Sequence, residues 1–389
     1  EVLVDEGAGQ AHRIEDLRAA VGLVGGDAHL RHHLEQALAD GLDVAGLDFL
    51  RAEFLRQAFA NRLQGLEGEI GIDRLGAVAG QGCEVMNLAR GARLDSSTWV
   101  SEPCARFPSL DAAIASFLDS FADAPTLDAV CIAVAGPVDG ECVRMTNRDW
   151  EISGPRLRQS LGVRRALVIN DFVAVSMAVP GLQQHEWVPI GADVAVVPGA
   201  PIAVLGPGTG LGVSALVPYG DAWIPVATEG GHASISPGDD YERELIGVLL
   251  RQVQPVPLER VLSGPGLAVL YAAMSELEGR AGAEAEAATI VASALADSTG
   301  FCHRVLDRFC SMLGSAAGNL ALTYGAHGGV YLGGGILPRM PGFLADSAFR
   351  VRFEAQGGQE FDYLAAIPTR LITAEHSALA GALAYLLLH

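Results

Sequence analysis

Gly206, Gly208, Thr209, Gly210 and Gly212 follow directly on the apolar run Ile202 to Leu205, in the stretch PIAVLGPGTGLGV. A buried strand that breaks into glycines brings bare backbone N–H groups close to an anion, and Thr209 adds a hydroxyl among them. Such a loop suits a phosphate; the competing reading is a tight turn. Asp171 stands at the end of the apolar run VINDF, where a carboxylate is costly to desolvate unless it has a task. Its task is either proton transfer or capping of the helix that begins near Val173. In Thr228-Glu229-Gly230-Gly231-His232 two glycines separate a carboxylate from an imidazole, so both side chains can converge on one ligand, or simply flank a turn. Glu259, in ERVLSGPG, and Asn147, in MTNRDW, are weaker candidates: a surface salt bridge is expected of Glu259 unless the other sites gather with it, and a turn explains Asn147 as well as a ligand does. Together these acids and amides, with no fixed cation among them, suit a neutral polyol, whose hydroxyls need acceptors as well as donors.

The elements that would position these residues read as alternating buried strands and helices, a layered α/β chain. Ala129 to Ala135 runs into Gly136-Pro137, Ala166 to Ile169 into Asn170-Asp171, and Gly329 to Leu332 into Gly333-Gly334-Gly335. Each strand thus ends in glycine or polar residues, and the carboxyl ends of parallel strands are where open α/β sheets bind ligands. Helical spacing marks Ser311 to Tyr324 and Ser377 to Leu388, the latter with Leu379, Leu383, Leu386 and Leu387 on one face.

Composition removes several function classes. The chain has 389 residues, 50% of them hydrophobic, enough for a large core and two lobes. All 26 basic residues are arginine, so a GK[ST] phosphate loop and lysine Schiff-base chemistry are excluded. A net charge of −20 disfavours nucleic acid as a partner. The six cysteines, Cys83, Cys104, Cys131, Cys142, Cys302 and Cys310, form no CxxC pair and suggest neither zinc nor disulfides. With no basic leader and no long apolar span, the expectation is a cytoplasmic protein without a membrane partner.

Taken in order, CIAVAGPV, MTNRDW, VINDF followed by AVSMA, GPGTGLGV, EGGH, ERVLSGPGL and GGVYLGGGILPR closely resemble bacterial glucokinases, which are hexokinase-type ATP-dependent sugar kinases. The likeness runs from about Ser109 to the C-terminus. It implies a two-lobed actin/hexokinase-like (ribonuclease H-like) α/β fold with the sugar in the cleft between lobes. It implies Asp171 as general base toward the glucose 6-hydroxyl, and Asn170, Glu229, His232, Glu259 and Asn147 around the other hydroxyls. Gly206, Gly208, Thr209, Gly210 and Gly212 match the second phosphate loop, and Gly333, Gly334 and Gly335 the segment beside the adenosine. ATP with Mg²⁺, glucose as substrate, no protein-held metal and a homodimer are implied in the same way. The rival expectation is a sugar-binding homologue or regulator on the same fold with weak or no phosphotransfer. Zinc, which such relatives hold on cysteines after the EGGH-like segment, is not expected, because Ala233 to Leu250 contains no cysteine.

The beginning departs from the family pattern. Where the family has a DxGGTN loop after its first strand, this chain has Val78-Ala79-Gly80-Gln81-Gly82-Cys83, which keeps only one glycine in place. Upstream, Leu47, Leu50, Phe54, Leu55 and Phe59 follow helical spacing, so one or two amphipathic helices are expected between Ala28 and Gly65. An added helical module, a substituted first strand, or a start region whose translated sequence is not the native one all account for this stretch. With 14 Asp or Glu against 7 Arg in Glu1 to Arg74, it is no DNA-reading head. The expected domains are residues 1–75 as a helical extension, 76–180 as a small lobe completed by the helix 374–389, and 181–373 as a large lobe.

Overall fold

A computed structural model describes residues 73–79, 83–90, 93–94, 98–122, 126–145, 150–220, 222–280, 285–356 and 362–389. The expected helices between Ala28 and Gly65, residues Gly80 to Gly82 and Asn147 lie outside these.

Two sheets share one plan. In the first, β1 (Asp73–Ala79) pairs antiparallel with β2 (Cys83–Arg90) and parallel with β5 (Leu127–Val134). β8 (Arg165–Asn170) continues the parallel side, while β3 (Arg93–Leu94) and β4 (Val100–Pro103) pair with β2. In the second, β10 (Ile202–Pro207) takes the place of β1. It pairs antiparallel with β11 (Leu211–Tyr219), which carries β12 (Ala222–Ala227), and parallel with β13 (Val330–Leu332). β14 (Thr369–Ile372) follows, and β9 (Trp187–Pro189) closes that edge antiparallel. A small ribbon of β6 (Cys142–Arg144) and β7 (Glu151–Ser153) stands apart.

Between the sheets run two helices, α3 (Asp171–Ala178) and α10 (Ser377–Leu388). The sequence of α3 explains its position: Phe172 to Ala178 are all buried, and a helix with no polar face must be covered on every side. It touches β5 and β8 of one sheet and β10, β11 and β12 of the other. β5 shows the complementary pattern. Val130, Ile132 and Val134 face α1 (Leu110–Leu118) and α2 (Gly154–Leu161). The smaller Ala129, Cys131 and Ala133 face Val173 and Ala174 of α3 and Ala382 and Leu386 of α10, where small side chains let the helices come close. α10 approaches closest at Gly381, where a Cβ would lie 1.6 Å from the Ala174 carbonyl oxygen.

The second sheet is covered on its other face by α4 (Asp240–Leu249), α5 (Gly264–Leu277), α6 (Ala287–Ala296), α7 (Phe301–Tyr324), α8 (Pro341–Asp346) and α9 (Phe349–Glu354). α7 is longer than the spacing of Ser311 to Tyr324 suggested and stops at Gly325, whose φ of 60° suits a glycine cap. No described helix is long and apolar enough to cross a membrane. Of the described cysteines, Cys131 and Cys310 are fully enclosed. Burial raises both thiols, Cys310 to about 12, so neither is a nucleophile near neutrality.

Candidate active site

Asp171 is the first residue of α3, directly after β8. The capping alternative falls to its neighbour: Asn170 is the N-cap, and its Oδ1 accepts from the Phe172 N–H at 2.8 Å and the Val173 N–H at 3.3 Å. The Asn170 amide nitrogen donates to the Gly136 carbonyl at 3.1 Å, tying the end of β8 to the glycine turn after β5. With the cap provided, Asp171 is free for other chemistry. Its Oδ1 accepts from the Phe172 N–H at 2.9 Å. Burial pushes its carboxyl above the ordinary aspartate range and the charge of Glu229 adds to the rise, while backbone N–H groups oppose it. A carboxyl raised in this way is a better proton acceptor than a free aspartate.

Asn170 and Glu229 line one cleft of about 340 Å³. Its walls come from both sheets: Pro137 and Val138 beyond β5, Pro225 and Thr228 at and beyond β12, and Tyr385 from α10. The volume falls near the lower end of small-molecule sites, about 300–1,000 Å³. Glu229 and His232 bracket a single 3-10 turn, Gly230–His232, with His232 Nε2 3.8 Å from Glu229 Oε2. Both side chains are more than half exposed, at 52% and 63%, so they remain available to a ligand. Gly231 is required where it stands, because a Cβ there would lie 2.2 Å from the Leu211 carbonyl oxygen. This contact fixes the EGGH turn against β11.

The glycine-rich stretch is a hairpin, with Gly206 opposite Gly212 and Pro207 opposite Leu211. Only Gly208, Thr209 and Gly210 form its tip, with Thr209 exposed. Gly206 and Gly212 lie within the strands, and their bareness serves close packing. A Cβ on Gly206 would meet the Gly333 backbone at 2.4 Å, and one on Gly212 would meet the Phe172 ring at 1.8 Å. Gly334, at φ 82°, packs on the Pro207 carbonyl, and a Cβ on Gly208 would reach the Gly335 nitrogen at 4.0 Å. The two glycine segments therefore face each other at the carboxyl ends of β10 and β13.

Among the described residues Glu259 has no salt-bridge partner. Its Oε2 accepts from the Leu211 N–H at 2.8 Å, and Gly210 lies so close that a Cβ there would clash with the same oxygen. The Gly264 N–H donates to the Gly208 carbonyl at 2.7 Å, a second tie from the same loop. Glu259 thus latches the hairpin. Tyr385 escaped the sequence reading, although a lone phenol in the helix SALAGALAYLLL was the signal that could have found it. The described residues contain no cluster of three His, Cys, Asp or Glu able to hold a metal ion.

The glucokinase family model matches residues 81–389. β1 lies outside that match. The glucokinase of Chromobacterium violaceum is 42% identical over 316 residues, 81% of this chain and 89% of that protein. That of Aromatoleum aromaticum is 48% identical over 249 residues, 64% of this chain and 75% of that protein. Among solved structures, a glucokinase from an Antarctic psychrotroph superposes with a TM-score of 0.70 at 37% identity, covering 81% of this chain and 98% of that one.

Proposed function

This chain belongs to the glucokinase family, and we propose that it transfers the γ-phosphate of ATP to the 6-hydroxyl of glucose, giving glucose 6-phosphate and ADP, with Asp171 as general base. The observation that carries this reading concerns the two neighbours of Asp171 in the chain. Asn170 lines a cleft with Glu229 and Tyr385, and Phe172 touches the glycine hairpin through Gly212; Asp171 itself is not among the cleft-lining residues, and the charge of Glu229 reaches it.

A sugar hydroxyl is too weak an acid for any aspartate to deprotonate in the ground state. Asp171 would take the proton as the oxygen–phosphorus bond forms, a contribution of roughly 10²–10⁴-fold. Alignment and charge stabilisation supply most of the rest. In this reading Glu229 and His232 hold glucose hydroxyls as acceptor and donor, and Asn147 does so from the segment after β6. Asn170 acts mainly by positioning Asp171, since its carbonyl oxygen and one amide hydrogen are already engaged. Glu259 orders the hairpin that meets the triphosphate, where Thr209 and Gly210 offer backbone and hydroxyl donors and the Gly208 N–H closes the tip on the Gly210 carbonyl at 2.8 Å. Gly333, Gly334 and Gly335 flank the nucleotide. Mg²⁺ enters as part of the nucleotide substrate, bound by phosphate oxygens and water rather than by a carboxylate cage.

The experiment is a coupled assay of glucose-dependent ADP formation with magnesium ATP, run beside calorimetric glucose binding. Turnover abolished in Asp171→Ala with binding retained supports the assignment. Sugar binding without any transfer in the unaltered chain would instead support a binding homologue, a reading favoured by Val78 to Cys83, which replaces the family's DxGGTN loop, and by β1 lying outside the family match.

A further inference from the structure

A second cavity, of about 130 Å³, opens at the opposite ends of the same strands. It touches Ile202, where β10 begins, and Gly328, just before β13, whereas the glycine segments cap the far ends of β10 and β13. Val179 and Leu182, at the C-terminal end of α3, form part of its wall, so α3 separates it from Asp171. Trp187, Trp223 and Tyr331 give it aromatic sides.

Among the described residues one charged group lies in this wall. Arg370 is 8% exposed, and its guanidinium stacks 3.9 Å from the centre of the Trp187 ring. Nη1 donates to the Tyr331 hydroxyl at 3.1 Å. The opposite edge, Nε and Nη2, is the pair that grips a carboxylate side-on. There Nε has no hydrogen-bond partner among the described residues. Nη2 has only Asp193 nearby, at 3.8 Å, beyond hydrogen-bond reach. The Asp193 side chain is 57% exposed and can swing away. A buried N–H left unmet is costly, and a flat anionic acceptor removes the cost. The remaining space is that of one ring: an apolar cavity of about 150 Å³ accommodates benzene.

We propose that this cavity is a binding site for a small monocyclic aromatic carboxylate, held by the Nε and Nη2 edge of Arg370 between Trp187, Trp223 and Tyr331. Two of the four tryptophans, Trp187 and Trp223, line it, so occupancy is readable in intrinsic fluorescence. The test titrates the full chain with benzoate, and with benzyl alcohol as the uncharged counterpart, in the presence of saturating glucose. Benzoate is expected to change the emission saturably, while benzyl alcohol binds at least about tenfold more weakly for want of the charged hydrogen bonds. Arg370→Gln should lose a similar factor. Because Arg370 is buried, two surface variants keep the test decisive if that protein fails to fold. Asp193→Asn removes the competing carboxylate and should tighten benzoate binding, and Val197→Phe, at the mouth, should block it. Equal binding of acid and alcohol, weakening by Asp193→Asn, indifference to Val197→Phe, or release of benzoate by glucose would each overturn the proposal.

Discussion

The ring of Phe172 lies against the backbone of Gly212, leaving no room for a Cβ between them. Phe172 follows Asp171 in α3, and Gly212 lies two residues beyond the tip of the hairpin. One packing contact therefore sets the distance between the base and the glycine tip, and neither can move far without the other.

Gly212→Ala is the direct test of that contact. The displaced ring should destabilise the protein by about 1–3 kcal/mol, as overpacking does. A shift of about 1 Å in the neighbouring carboxylate would lower turnover by roughly 10²-fold. Thermal denaturation with the coupled assay reads both effects; a destabilised enzyme of normal turnover would break the link between packing and chemistry.

Asp171→Asn should cut turnover by at least about 10²-fold while leaving glucose affinity near that of the parent. It should also stabilise the fold. Burial raises the folded-state carboxyl above its unfolded value, so the ionised form costs stability once the pH exceeds the folded-state pKa. That cost is absent below the unfolded pKa, at which both states hold the proton. The variant should therefore melt higher than the parent at pH 8, with the gap closing in acid; a gap that widens in acid would reverse the assignment.

Catalysis should fail on the acid side at a higher pH than an ordinary aspartate would cause, because Asp171 must be ionised to accept a proton. Burial is the main reason for the raised value and the Glu229 charge a lesser one. Glu229→Gln should then move the acid limb of kcat/KM to lower pH while raising the glucose KM. A limb that stays in place would show that the two carboxylates do not sense each other.

At Glu259 two substitutions separate two roles. Glu259→Ala strands the Leu211 N–H and should cost about 1–3 kcal/mol of stability, with weaker binding of ATP. Glu259→Gln keeps an acceptor and should recover most of both. If Gln instead behaves like Ala in the glucose KM while restoring stability, the carboxylate also serves the sugar.

Much of this arrangement was legible in the chain. The strand ends at Gly136, Asn170 and Gly333 were marked by apolar runs stopping at small or polar residues, and the helix Ser377–Leu388 by its leucine spacing. The duties of single residues were less so. The cap at this helix start was legible, but whether Asn170 or Asp171 supplies it was not, since both residue types can cap. Glu259 on the Leu211 N–H and Gly212 beneath Phe172 depend on pairings distant in the chain, which local pattern does not encode. Tyr385 enters the cleft only because α10 returns to β5, a matter of topology rather than of spacing.

That return has a consequence for how the protein folds. Val173 and Ala174 cover only part of the β5 face formed by Ala129, Cys131 and Ala133; Ala382 and Leu386 cover the rest. Until this 12-residue helix docks, the first sheet carries an open apolar groove. Removing Ser377 to Leu388 should thus yield insoluble protein rather than a slower enzyme, because the lesion exposes a core instead of altering a cleft.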